Sequence, residues 1–220
     1  QPLAEKGAVL RPGTNLLYVA AEARRLYVLD VGGKDDDGNR VSPRCAQVIG
    51  TGHLAGTLRV PPLFVGPDGA EPADRWMVLA QAAGPAVTKL RVFPVGAVAP
   101  PPADGAPVPE TPANAVAELP VPGWVWFPPV CDGERLAVAS DTGQFRVFGV
   151  NQMGNLDKPL FPLAAPALPG TPDDRPVRGL VIPVEESVYW LVAGGLRQKA
   201  RLDMVMSKGQ VVEVTGPVLP

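Results

Sequence analysis

One phrase recurs four times along this 220-residue chain: a proline-marked apolar stretch, a strand, a short polar turn and a second strand. In the best-formed copy Pro128-Pro129-Val130-Cys131 leads in, and Leu136-Ala137-Val138-Ala139-Ser140 is the first strand. Asp141-Thr142-Gly143 turns, and Gln144 through Val150 is the second strand. The other copies run from Pro12 to Val31, Pro61 to Val95 and Pro183 to Val205. Matched second-strand positions are Leu29, Phe93, Phe148 and Leu202, a period of 64, 55 and 54 residues. A repeat of that size built only from strands and turns points to the blades of a β-propeller. The expected fold is therefore all-β: a propeller or propeller segment of about four blades, each a four-stranded antiparallel sheet. It is read as a single domain over 1–220, with repeats at about 7–50, 57–120, 124–165 and 177–215.

The bulk numbers fit an ordered domain. Proline (28) and glycine (24) together approach the level that can signal disorder, yet 46% of residues are hydrophobic and cluster in strand-sized packets. The length suffices to bury a core without disulfides. A net charge of -2 with both signs interspersed leaves no clustered basic face, so no nucleic-acid partner is expected. The longest apolar runs are strand-sized, far short of the roughly 20 residues of a spanning helix, so no membrane span is expected. Cys45 and Cys131 lie in different repeats and read as small buried hydrophobes, carrying no zinc or redox motif. No targeting segment is legible. Compartment is left open, with an extracytoplasmic or cell-envelope location preferred.

Within the repeats, Ala8-Val9-Leu10 reads as an outer or closing strand and Cys45 to Ile49 as the fourth strand of repeat one. Lys89-Leu90-Arg91-Val92-Phe93 alternates, sending Leu90 and Val92 to one face and Arg91 and Phe93 to the other. Residues 96–114 form an Ala/Pro/Gly stretch that can be neither helix nor central strand, because proline lacks a donor and clashes. It reads as a long loop inside one blade, ahead of a strand at Ala115 to Leu119; a domain boundary is the rival reading.

Most chemistry-bearing residue types have a bland explanation. Asp35-Asp36-Asp37-Gly38-Asn39 suggests calcium but lacks alternating acids and a distal Glu, so it reads as a solvated turn. His53 is the single histidine, with no nucleophile motif around it. A multi-histidine metal site within one chain is excluded. Asp173-Asp174-Arg175 and Glu185-Glu186 read as turns, and Gly194-Gly195 has no helix after it to make a phosphate loop. No catalytic, cofactor-binding or metal-ligating residue is assigned, and no cofactor is expected. The one candidate surface is Trp124, Trp126 and Phe127. Strand alternation puts Trp124 and Trp126 on one face, where they line either an interaction surface or an inter-blade joint. Trp76 and Trp190 read as core.

Pro128-Pro129, Val138-Ala139-Ser140, Asp141-Thr142-Gly143, Val147-Phe148 and the run Leu29-Asp30-Val31-Gly32-Gly33-Lys34 together resemble the quinoprotein-like β-propeller group. That group includes quinone-dependent dehydrogenases and a non-catalytic propeller of an outer-membrane assembly lipoprotein. The Gly52-His53 pair is similar to the Gly-His of WD-type repeats, but no Trp-Asp follows at the matching place. The chain also lacks the adjacent cysteines of cofactor-binding quinoproteins, so the resemblance implies the fold and not the redox chemistry.

The expected function is a non-catalytic binding or scaffold module that presents a rigid surface to a protein or glycan partner. Two alternatives stand: part of a propeller enzyme, quinone-dependent or hydrolytic, whose site other blades complete, or a structural repeat of a larger envelope protein. Four blades are few, so the ring is either unusually small or completed by self-association or further blades.

Overall fold

A computed structural model of the chain describes residues 7–22, 24–34, 37–52, 58, 60–66, 75–103, 106–142, 145–152 and 158–164, and the strand backbones at 178–184, 187–193, 199–207 and 210–215. Side chains are described as far as residue 163, apart from those at 21, 22 and 145. Blade 1 comprises β1 (Ala8–Leu10), β2 (Leu16–Glu22), β3 (Arg25–Asp30) and β4 (Arg44–Gly50). Blade 2 comprises β5 (Leu63–Val65), β6 (Trp76–Gly84), β7 (Val87–Pro94) and, after the short β8 (Glu110–Pro112), β9 (Ala117–Pro122). Blade 3 holds β10 (Val130–Cys131), β11 (Arg135–Ala139), β12 (Phe145–Val150) and β13 (Leu160–Ala164). Blade 4 holds β14 (Arg178–Val184), β15 (Ser187–Ala193), β16 (Lys199–Ser207) and β17 (Gln210–Thr215). The four strands named for each blade pair antiparallel in chain order, β9 following β7 across the intervening strap. No helix among the described residues is long and apolar enough to cross a membrane.

The repeat is preserved in register. Leu29, Phe93, Phe148 and Leu202 all lie on the third strand of their sheets. They pair with Leu17, Met77, Leu136 and Val188, each the second residue of the second strand. Residues directly opposite share a face, so this row marks the same side of every blade. In blade 2 Met77, Leu79 and Phe93 turn toward blade 1 and join Tyr18, Leu26, Val28 and Ile49 in one core. The alternate set, Trp76, Val78, Leu90 and Val92, turns toward blade 3 and joins Leu136, Val138 and Phe148 in a second core. Blade 2 is thus apolar at both parities because both its faces are covered, the pattern of a sheet buried on two sides. Beyond blade 3, β10 and β11 touch β14, and β13 touches β17.

The prolines have positional reasons. The Gly123 amide donates to the Ala86 carbonyl across the β7–β9 register, so residues 117, 119 and 121 aim their backbone groups at β7. Pro120 and Pro122 then fall at outward positions, where a missing N–H breaks no ladder and leaves the outer edge short of donors. Pro162 is outward on β13 by the same argument from the Asn151–Pro159 bond. Such prolines blunt an outer edge against stray strand pairing. The outer strand of blade 1, β4, has no proline, and here the edge is covered instead: β8 adds to it in parallel, pairing Val48–Gly50 with Glu110–Pro112.

Three sequence expectations change. The 96–114 stretch is a strap, leaving blade 2 after β7, contributing β8 to blade 1 and returning as β9. The strand expected at Ala115 to Leu119 runs from Ala117 to Pro122, because the outward prolines are compatible with it. Trp124 and Trp126 are on no strand; they occupy the connection from β9 to β10. Both cysteines are unbridged thiols.

Candidate functional site

Two features stand out where neighbouring blades meet. The first is the tryptophan pair at the joint of blades 2 and 3. Gly123 ends β9 at φ +87°, a backbone turn that suits glycine. The chain then threads between two buried polar side chains, Thr88 and Asp141. The Thr88 hydroxyl donates to the Gly123 carbonyl (3.0 Å) and accepts from the Val125 amide (3.1 Å). The Asp141 carboxylate accepts from the Trp124 amide (2.7 Å) and the Trp126 indole N–H (3.0 Å), and the Trp124 indole N–H donates to the Gly84 carbonyl (3.0 Å). The two rings meet edge to face at 5.8 Å. Val125 between them is buried, so both indoles lie half-buried on one side although no strand alternates them. Phe127 is half-buried and outside this stacked pair. The indole N–H groups face inward to the joint, and what remains for solvent is a rigid aromatic ledge.

The second feature was not legible in the sequence. A cleft of about 340 Å³ opens between blades 1 and 2 beneath the strap. Tyr18, Ile49, Met77 and Phe93 line it with apolar surface; Gln47, Thr111 and Asn114 bring polar groups to it, and Val95 to Val98 and Pro112 to Asn114 form its strap-side wall. Tyr18 is fixed by an edge-to-face contact with Phe64 at 4.9 Å. Burial raises its phenol pKa, against the opposing charge and hydrogen bond of Arg11. The Arg11 guanidinium also donates to the Gly96 carbonyl (3.2 Å), tying the start of the strap to blade 1. The far end is tied by the Arg25–Glu110 ion pair (2.8 Å) and by the Ala113 amide on the Gly50 carbonyl (2.8 Å). A Cβ at Gly50 would meet the carboxylate end of Glu110, which would have to swing away from its pairing with Arg25.

A polar network locks the same two blades. Gln81 donates to the Thr51 hydroxyl (3.1 Å), which donates to the Arg24 carbonyl (3.2 Å). Arg91 donates to the Thr51 carbonyl and to the Gln81 side-chain oxygen, stacks over Phe93 at 5.1 Å and pairs with Glu118 (2.8 Å). Lys89 holds the other Glu118 oxygen at 2.8 Å, and its hydrogen bond is the main cause that lowers the Glu118 pKa.

Among the described residues no group of three or more His, Cys, Asp or Glu side chains is placed to hold a metal ion. His53, Asp35, Asp36, Asp173, Asp174, Glu185, Glu186, Gly194 and Gly195 lie outside the described residues, as does the side chain of Trp190. Trp76 is core.

No protein-family model matches the chain, and no curated protein sequence matches it. Solved structures do. BamB from Moraxella catarrhalis superposes at a TM-score of 0.54 with 14% identity, over 96% of this chain and 52% of that one. The Pseudomonas aeruginosa periplasmic gluconolactonase PpgL gives 0.53 and 15%, over 95% and 55%. The β-propeller domain of Cps50 (Swd1) from Myceliophteria thermophila gives 0.55 and 12%, over 94% and 58%. The chain thus spans a little over half the length of the propellers it matches. BamB, a gluconolactonase and a Swd1 propeller domain share this geometry at such identities, so the likeness carries architecture and not the quinoprotein-like detail. The chain is a β-propeller or a segment of one.

Proposed function

We propose that the chain is a non-catalytic propeller module that binds a protein partner, with the strap-covered cleft receiving an apolar side chain of that partner. The observation that carries this reading is the cleft: about 340 Å³, apolar at Tyr18, Ile49, Met77 and Phe93 and polar at Gln47, Thr111 and Asn114. A concave apolar floor with a few polar groups at its rim is the general form of a recognition pocket. The Trp124–Trp126 ledge is a second, flatter contact of the kind that supplies aromatic area at low entropic cost.

Panning a displayed peptide library against the folded chain tests the reading. Enriched peptides are expected to carry an aromatic or branched apolar anchor and to lose at least about tenfold in affinity against Ala113→Trp, which fills the cleft. Enriched peptides indifferent to Ala113→Trp but lost in Trp126→Ala would move the site to the ledge. No enrichment, or indifference to both substitutions, would defeat the proposal.

A further inference from the structure

We propose that the outer edge of β4 is a strand-addition site for an extended, glutamate-bearing segment of a protein partner, and that β8 is the competitor within the chain that occupies this edge until the partner displaces it. The inference goes beyond the cleft and stands without it.

The outer edges of the blades are treated differently. β9 and β13 place Pro120, Pro122 and Pro162 at outward positions. β4 (Arg44–Gly50) contains no proline and keeps an edge able to pair. β8 fills part of it, setting Glu110, Thr111 and Pro112 in parallel against Val48, Ile49 and Gly50. The Ala113 amide donates to the Gly50 carbonyl, so by alternation the backbone of Thr111 also faces β4 and that of Pro112 faces outward. β8 thus brings to blade 1 the blunting proline that β4 lacks.

β8 is seated as a bound peptide would be. Residues paired in register share a face. Thr111 therefore lies with Ile49, and Glu110 lies on the other face with Val48, Gly50 and Arg25. There the Arg25 guanidinium holds the Glu110 carboxylate at 2.8 Å. The missing side chain of Gly50 leaves room for that carboxylate to reach across. Backbone pairing along the edge supplies affinity, and one side-chain rule, a glutamate on Arg25, supplies specificity. That division of roles defines a strand-addition site.

The hold of β8 is light. The strand is three residues long and all three are exposed. Its ladder is parallel, the weaker arrangement per residue. Its ion pair is 46% and 44% exposed, and such pairs contribute little. Release of β8 also removes no strand from a blade, since β7 and β9 pair directly with each other and β1 to β4 remain a sheet.

Fluorescence anisotropy of a labelled peptide with the sequence of residues 106–114 tests this. Thr111→Pro removes an amide that faces β4 and loosens β8 in the full chain. The peptide is expected to bind the Thr111→Pro chain at least about tenfold more tightly than the unmodified chain, whose edge is occupied. Adding Arg25→Glu to Thr111→Pro is expected to cost at least about tenfold, and a peptide carrying Glu110→Lys is expected to restore binding to that double variant. No binding to the Thr111→Pro chain overturns the inference, as does binding indifferent to Arg25→Glu. A Thr111→Pro chain that self-associates and leaves no site for the peptide assigns the edge to the strap of a second copy and overturns the partner reading. Should Thr111→Pro unfold the chain, hydrogen exchange of the unmodified protein decides. The Ala113 amide, bonded to Gly50, is expected to exchange at least about tenfold faster than the Val116 amide, bonded to Val92. Equal protection would show that β8 opens only with the blades and would overturn the inference. Arg25 is not among the residues lining the cleft, so the response to Arg25→Glu is separate from whether the cleft takes an anchor.

Discussion

Met77 and Phe93 in blade 2 and Leu17 and Leu29 in blade 1 occupy the same repeat positions, on the same strands and in the same register. The first pair is sealed, at 3% and 1% exposure, and the second is half open. Sequence phase is identical; what differs is that blade 1 packs over the first pair, whereas no blade among the described residues packs over the second. Hydrophobicity at a repeat position therefore specifies that a face should be covered, and the neighbour decides whether it is. Since stabilisation follows the apolar area removed from water, equal residues at equal positions contribute unequally.

The sharpest test of that contrast compares truncations at matched positions. Leu136→Ala, at a fully buried site between blades 2 and 3, is expected to cost roughly 2–5 kcal/mol in urea unfolding. Leu17→Ala in dilute protein is expected to cost about 1 kcal/mol, because only part of its surface leaves water. Equal costs would break the comparison; a Leu17→Ala cost well below that of Leu136→Ala would sharpen it.

Next in size is the joint of blades 2 and 3. Gly123→Ala places a side chain at φ +87° with its Cβ 2.6 Å from the Thr142 hydroxyl and 2.8 Å from the Asp141 carboxylate. The expected cost is about 1–3 kcal/mol, with a change in tryptophan emission as Asp141 shifts from the two indoles. A chain of unaltered stability and emission would show that this joint bends freely.

The smallest effect is electrostatic and belongs to the joint of blades 1 and 2. Hydrogen bonding from Lys89 leads the causes that lower the folded-state pKa of Glu118. A depressed carboxyl adds stability above its unfolded pKa of about 4.3, and that stability fades as pH falls through the folded value. The side chain is 39% exposed, so solvent screening keeps the contribution small. Melting temperatures recorded from pH 7 downward should fall slightly less steeply for Glu118→Gln than for the unmodified chain. An identical slope would remove Glu118 from the joint's energetics.

Trp124 and Trp126 were legible as a cluster because two large aromatics two residues apart are conspicuous. Their clamp was not: Asp141 reads as an ordinary turn residue, and only its position beside the β9–β10 connection lets one carboxylate hold a backbone amide and an indole. The cleft was illegible for the same kind of reason. Its walls come from residues as distant in the chain as Tyr18 and Asn114, and no local pattern links them.

By itself the sequence determined the strand period and the parity of β7, where Leu90 and Val92 alternate with Arg91 and Phe93, because alternation is a property of a few consecutive residues. Its prolines also marked segments that cannot be central strands. Tertiary structure alone decided that the strap crosses to blade 1 and adds β8 to an edge without proline, and that a cleft forms beneath it. Those outcomes depend on which sheet lies against which, and that is set by packing between residues far apart in the chain.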